Sequence, residues 1–192
     1  MIYTIERITR DVRVSIDENA RGESLVIEGD IDTLTLDERI RHEITDAARK
    51  VEMEAPAELL DGAQNFGDAV EWRAGNSGRI ELPEDFMRLT VFKMSDWERP
   101  VDEPITATDP RYRLQRSRLE GVRGNPQLPV VAIVRRPEGL ALEFYSCKDR
   151  TATVEMAAYY PLPRIDRSGG INIPEKVYKA VVAEIAGRLR GE

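Results

Sequence analysis

RIELPEDFMRLTVFKM, residues 79–94, and NIPEKVYKAVVAEIAGRLR, residues 172–190, share one punctuation mark: a branched apolar residue, then proline, then glutamate. In the first the triplet is Leu82-Pro83-Glu84, and in the second it is Ile173-Pro174-Glu175. Proline presets the backbone of a first helical turn, and its missing N–H costs nothing there. The residues downstream of each proline decide the outcome. After Pro83 come Leu89, Thr90, Val91 and Phe92, whose β-branched and aromatic side chains favour a strand. After Pro174, Val177, Val181, Ile185 and Leu189 recur at every fourth position, which predicts an amphipathic helix. Glu175 suits the positive end of that helix, Arg188 and Arg190 the negative end, and Gly191 can stop it. One mark therefore opens a β region and the other closes it.

On the N-terminal side of these two stretches the chain reads as helical. Ile5, Ile8 and Val12 sit at helical spacing behind a possible Thr4 cap, predicting a short helix over 4–16. Residues 18–32 read as a loop with one apolar plug, Leu25-Val26-Ile27. Thr35 and Glu38 have capping-box spacing, and Ile40, Ile44, Ala48 and Val51 form the stripe of a longer helix that Pro56 ends. Beyond it, the spacing predicts a short strand over 69–73 and a tight turn over 75–78. Further strands are expected within 88–93, 129–135, 140–145 and 152–159. Pro137-Glu138-Gly139 and Lys148-Asp149-Arg150 read as turns. Residues 109–124 are either a short helix bearing Leu114 and Leu119 or an ordered loop. The expected class is α+β: a helical platform from residues 1–68 and 161–192, with a small antiparallel β unit of four to six strands inserted over 69–160.

Composition bounds the function. A chain of 192 residues buries roughly 70% of its unfolded surface and needs no metal or disulfide to hold a core. The one cysteine, Cys147, suits a reducing compartment. Apolar runs such as 130–134 are far too short to span a bilayer, and residues 1–10 lack a secretory pattern, so neither a membrane nor a secretory route is expected. A net charge of −7 argues against tight non-specific DNA binding by the whole surface. The charge is polarised. Residues 17–68 lean acidic, whereas residues 109–136 hold seven arginines against Asp109 and Glu120.

Catalytic material is thin. His42 falls on the polar face of a helix, and Cys147 follows a strand beside a charged turn, so a Cys–His nucleophile is not expected. No His/Cys spacing suits zinc, and Asp30, Asp32, Asp37 and Glu38 lack the order of a calcium loop. The glycine-rich stretches 75–78 and 168–170 lack phosphate-loop residues. No cofactor is expected. Arg111, Arg113, Arg116, Arg118 and Arg123 are the best candidate binding surface. With only Tyr112 nearby for base stacking, an acidic protein neighbour suits them better than nucleic acid.

The order of these features resembles a known family. The carrying segments are the Ile-x-x-x-Ile-x-x-Ala-Ala-Arg-x-Val helix, Gly78 to Leu89 with its LPEDF phrase, Leu142-Glu143-Phe144-Tyr145, and the terminal helix opened by Ile173-Pro174-Glu175. Together they resemble the head–tail connector proteins of tailed bacteriophages, in particular the adaptor type of short-tailed phages. The resemblance implies a non-enzymatic virion protein, made in the host cytoplasm and placed at the head–tail interface. It implies a homo-oligomeric ring below the portal protein, touching the tail or a second ring protein. DNA would pass through it towards the tail without specific binding. It further implies portal contact through the C-terminal segment, hence Ile185, Arg188, Leu189 and Arg190, and suggests the five arginines as inter-subunit residues. The alternative is a non-enzymatic ligand- or glycan-binding β module, which would need Trp72, Trp97, Tyr159 and Tyr160 exposed together on a concave surface.

Overall fold

The computed structural model describes residues 1–16, 35–67, 69–117, 119 and 121–191. The expected plug at 25–27 and Arg118 lie outside them. The fold is α+β, and the chain divides into two compact units: Met1–Gly62 with Leu162–Glu192, and Ala63–Pro161.

The terminal unit opens with β1 (Ile2–Thr4), which pairs antiparallel with β10 (Gly170–Asn172), Tyr3 facing Ile171. Helix α1 (Ile5–Ser15) starts where the Thr4 hydroxyl accepts the Arg7 N–H. Helix α2 (Leu36–Glu54) carries a complete capping box: Thr35 accepts from the Glu38 amide, and the Glu38 carboxylate accepts from the Thr35 amide at 2.8 Å. Helix α4 (Tyr178–Arg190) follows a single 3₁₀ turn at Glu175–Val177, so Pro174 stands one turn earlier than a first helical position. Gly191, in the left-handed region at φ 81°, ends it. Helix α4 packs against α1 and α2. Ile8, Val12, Ile40, Ile44, Val181 and Ile185 are fully buried, so most of each predicted stripe lies in the core of this unit, while Ile5, Val51 and Leu189 are half-buried. Tyr3 stacks on Tyr178 at 4.0 Å between centroids, Arg7 caps the pair, and the Tyr178 hydroxyl donates to Asp11 at 2.7 Å.

The inserted unit is larger than the small antiparallel sheet expected. Among the described residues it has eight strands in two sheets. β2 (Gln64–Asn65), β9 (Val154–Pro161) and β5 (Phe86–Met94) form one, in that order and antiparallel. The other runs β3 (Glu71–Arg73), β4 (Ser77–Glu81), β8 (Gly139–Phe144), β7 (Val131–Arg136) and β6 (Ile105–Thr106). The β6–β7 pair is parallel, so this sheet is mixed. Pro83 gives the expected single turn: the Phe86 amide donates back to the Pro83 carbonyl at 3.0 Å before β5 begins. Pro137 and Glu138 turn β7 into β8, with Arg136 opposite Gly139. Phe92, Met94, Leu142 and Phe144 are fully buried at the centre of this unit, with Trp97 and Tyr159 around them. The opposite face of the larger sheet carries a second, smaller apolar cluster of Ile105, Ala132, Val134 and Ala141, with Tyr112 and Tyr145 packed on it.

Candidate interaction surface

The ambiguous stretch 109–124 begins as a helix, α3 (Pro110–Leu114), and continues as turns. Asp109 caps it, accepting the Arg111 amide at 2.8 Å, and pairs with the Arg111 guanidinium at 2.8 Å. These bonds hold the Asp109 carboxyl below its usual range.

A buried carboxylate fixes this segment to the sheet. Glu143, next to the end of β8, the middle strand of its sheet, points to the face that carries α3. Its Oε1 accepts from Arg73 at 2.9 Å and from Arg136, and its Oε2 accepts from Tyr112 at 2.9 Å and Tyr145 at 2.5 Å. Burial pushes the Glu143 carboxyl up, but the bonds from Tyr145, Arg136 and Tyr112 outweigh it and hold the group below its ordinary value. Burial and the same carboxylate drive the Tyr112 and Tyr145 hydroxyls up. With four donors on two oxygens, Glu143 has little basicity to offer a substrate. Its chemistry is that of an anchor. Strand alternation set Glu143 apart from Leu142 and Phe144, but nothing local announced that α3 would cover that face. Its one sequence signal is an acid in mid-strand two residues before Tyr145.

Two more ties complete the anchoring. Buried Gln115 donates to the Arg111 carbonyl at 3.0 Å and accepts the Gly124 amide at 2.8 Å. Arg123 donates to the Gly75 carbonyl at 3.0 Å. Arg123 is therefore half-buried and engaged, and Arg111 is bound to its own cap. Arg113 and Arg116 are exposed, with no side-chain hydrogen bond or ion pair among the described residues. Beside them Leu114, Leu119, Val122 and Leu128 are exposed, Leu119 by 67%. Sequence reading found the arginines and missed the apolar residues between them as surface.

The nominated C-terminal residues divide. Ile185 is fully buried in the terminal unit, so it has no surface to offer a partner. Arg188 pairs with Glu43 and Glu184, both at 2.8 Å, and Arg190 donates to the Ser15 carbonyl at 2.7 Å. Leu189 is half-buried. Next to this turn an open groove of about 650 Å³ runs between α2 and α4.

His42 and Cys147 lie in different units. His42 is exposed on α2. Cys147 is buried, and burial together with nearby Asp96 pushes its thiol up to about 12, which leaves it protonated and a poor nucleophile. Among the described residues no three His, Cys, Asp or Glu side chains gather to hold a metal ion. No described helix is long and apolar enough to cross a membrane. Trp97, Tyr159 and Tyr160 are buried and Trp72 half-buried, packed edge-on against Phe144. No protein-family model matches the chain, and no curated protein matches its sequence.

Proposed function

We propose that this chain is a non-enzymatic virion structural protein, a head–tail connector of the adaptor type. In this reading it forms a homo-oligomeric ring below the portal protein and extends the DNA channel towards the tail or a second ring protein. The helices from both ends of the chain serve as the platform, and the inserted β unit presents a docking surface to neighbours. The reading rests on the resemblance in sequence pattern. The observation that best supports it is the anchored arginine–leucine segment: Glu143 and Gln115 are spent on holding it in place, while Arg113, Arg116 and Leu119 are left outward.

The rigid anchoring suits a contact that must be made identically many times. A closed ring needs heterologous contacts, one face meeting a different face on the next subunit, and a polarised charge distribution fits that demand. A net charge of −7 suits a conduit that does not retain DNA. Portal contact through the last turn of α4 then falls to Leu189, Arg188 and Arg190, with Ile185 supporting them from within. The glycan-binding alternative loses its main support, because the aromatic residues it needs are used in the core.

Electron microscopy of the chain mixed with the portal protein of its own phage tests the proposal. The expected result is a ring of extra density on the portal. A chain that stays monomeric and never decorates the portal removes the proposal.

A further inference from the structure

We propose that the exposed residues Arg113, Leu114, Arg116, Leu119, Val122 and Leu128 seat in the α2–α4 groove of a second copy of this chain. The inference rests on the self-assembly reading above and names the two surfaces that would meet.

The groove has a small, apolar floor that includes Val51, Ala55, Ala180, Ala183 and Gly187. A methyl group added at Gly187 would touch nothing within 4 Å, so the floor is open enough to take an inserted side chain. Its rim charges are mostly cancelled: Lys50 pairs with Glu184 at 2.9 Å, and Arg188 pairs with Glu43 and Glu184. Lys176 is held by the Glu58 carbonyl at 3.0 Å. Glu54 is left without an ion pair among the described residues, and the exposed Glu58 and Asp61 stand just beyond it in a stretch, 51–63, that has four acids and no base. Exposed Met53 adds an apolar shoulder.

The other face is the complement in both respects. Among its described residues the charges without an ion pair are Arg113 and Arg116, and the exposed apolar groups are Leu114, Leu119, Val122 and Leu128. Arginine with apolar residues is the composition that interface cores favour. The leucines supply the apolar burial, and the charges set register and approach rate. The two faces differ, and the proposed contact passes from one copy to the next, as a ring requires.

The test is sedimentation of the full-length chain over a concentration series, with circular dichroism as the folding control. Four exposed positions are changed: Leu119→Asp and Arg116→Glu on one face, Ala183→Trp and Glu54→Arg on the other. Each is expected to weaken association about tenfold. Combining Arg116→Glu with Glu54→Arg in one chain is expected to restore it, which a merely structural defect would not do. Association that ignores all four changes, or that is not restored in the combined chain, overturns this pairing and leaves the ring reading standing. A wild-type chain that is monomeric both alone and with portal protein overturns both.

Discussion

Glu52 is the residue whose behaviour is easiest to predict. It is buried in the last turns of α2, and its Oε1 has no hydrogen-bond partner among the described residues. Burial, reinforced by the Asp61 carboxylate and opposed by the Met1 amino group, raises it from an ordinary 4.5 to about 7. Between those values the folded chain holds a proton that the unfolded chain releases, so stability falls as pH rises through that window and levels off above it. Glu52→Gln is expected to abolish the slope and to raise stability at pH 8 by about 1–3 kcal/mol, read from far-ultraviolet circular dichroism melts at pH 5 and 8. Glu143 behaves in the opposite way. Glu143→Gln weakens both arginine pairs and gives Tyr112 and Tyr145 a poorer acceptor, at a cost of about 2–3 kcal/mol, measured by urea unfolding. A variant as stable as the wild type would show that the Glu143 bonds do not anchor α3. Neither role was legible in the sequence, because both depend on a distant element covering an acid that the local pattern assigns to solvent.

Among the elements, legibility tracks length and periodicity. Helices α2 and α4 are readable because an apolar stripe repeats over three or more turns and a cap or a proline marks the start. Of the long strands, β5 and β7 are readable from β-branched content, and β8 and β9 from the alternation of their side chains. β1, β2, β6 and β10 have two or three residues each, too few to show a period, and they exist through their partners. β4 is hidden by a glycine. The sequence pattern puts Gly78 at the close of a turn, yet it lies within the strand, opposite Phe144. Its missing side chain is the space the core uses: a methyl group there would come within 3.0 Å of both Phe144 Cε1 and Val70 Cγ1. Gly78→Ala is accordingly expected to destabilise the β unit by about 1–3 kcal/mol. The check is a lower urea midpoint with an unchanged m-value, and an unaltered midpoint would count against this packing account. The candidate surface is legible to the same partial degree. Charge clustering exposes the arginines, whereas the leucines among them carry the same local signal as core residues.

For the whole molecule, the division into two units has a spectroscopic counterpart. Both tryptophans, Trp72 and Trp97, lie in the inserted unit, whereas α1, α2 and α4 all lie in the terminal one. Tryptophan fluorescence thus reports one unit, and ellipticity at helical wavelengths mainly the other. Glu52→Gln is expected to move the ellipticity melt and leave the fluorescence melt in place; equal displacement of both would mean that the units unfold as one. A final consequence concerns birth order on the ribosome. The Met1 amino group bonds to Asn172 and to the Ile173 carbonyl, and among the described residues β1 has only β10 as its strand partner. β1 must therefore wait for its partner until Gly170–Asn172 has been translated. The tryptophan-bearing insert, Ala63–Pro161, precedes β10 along the chain and emerges before it, so the terminal unit closes last.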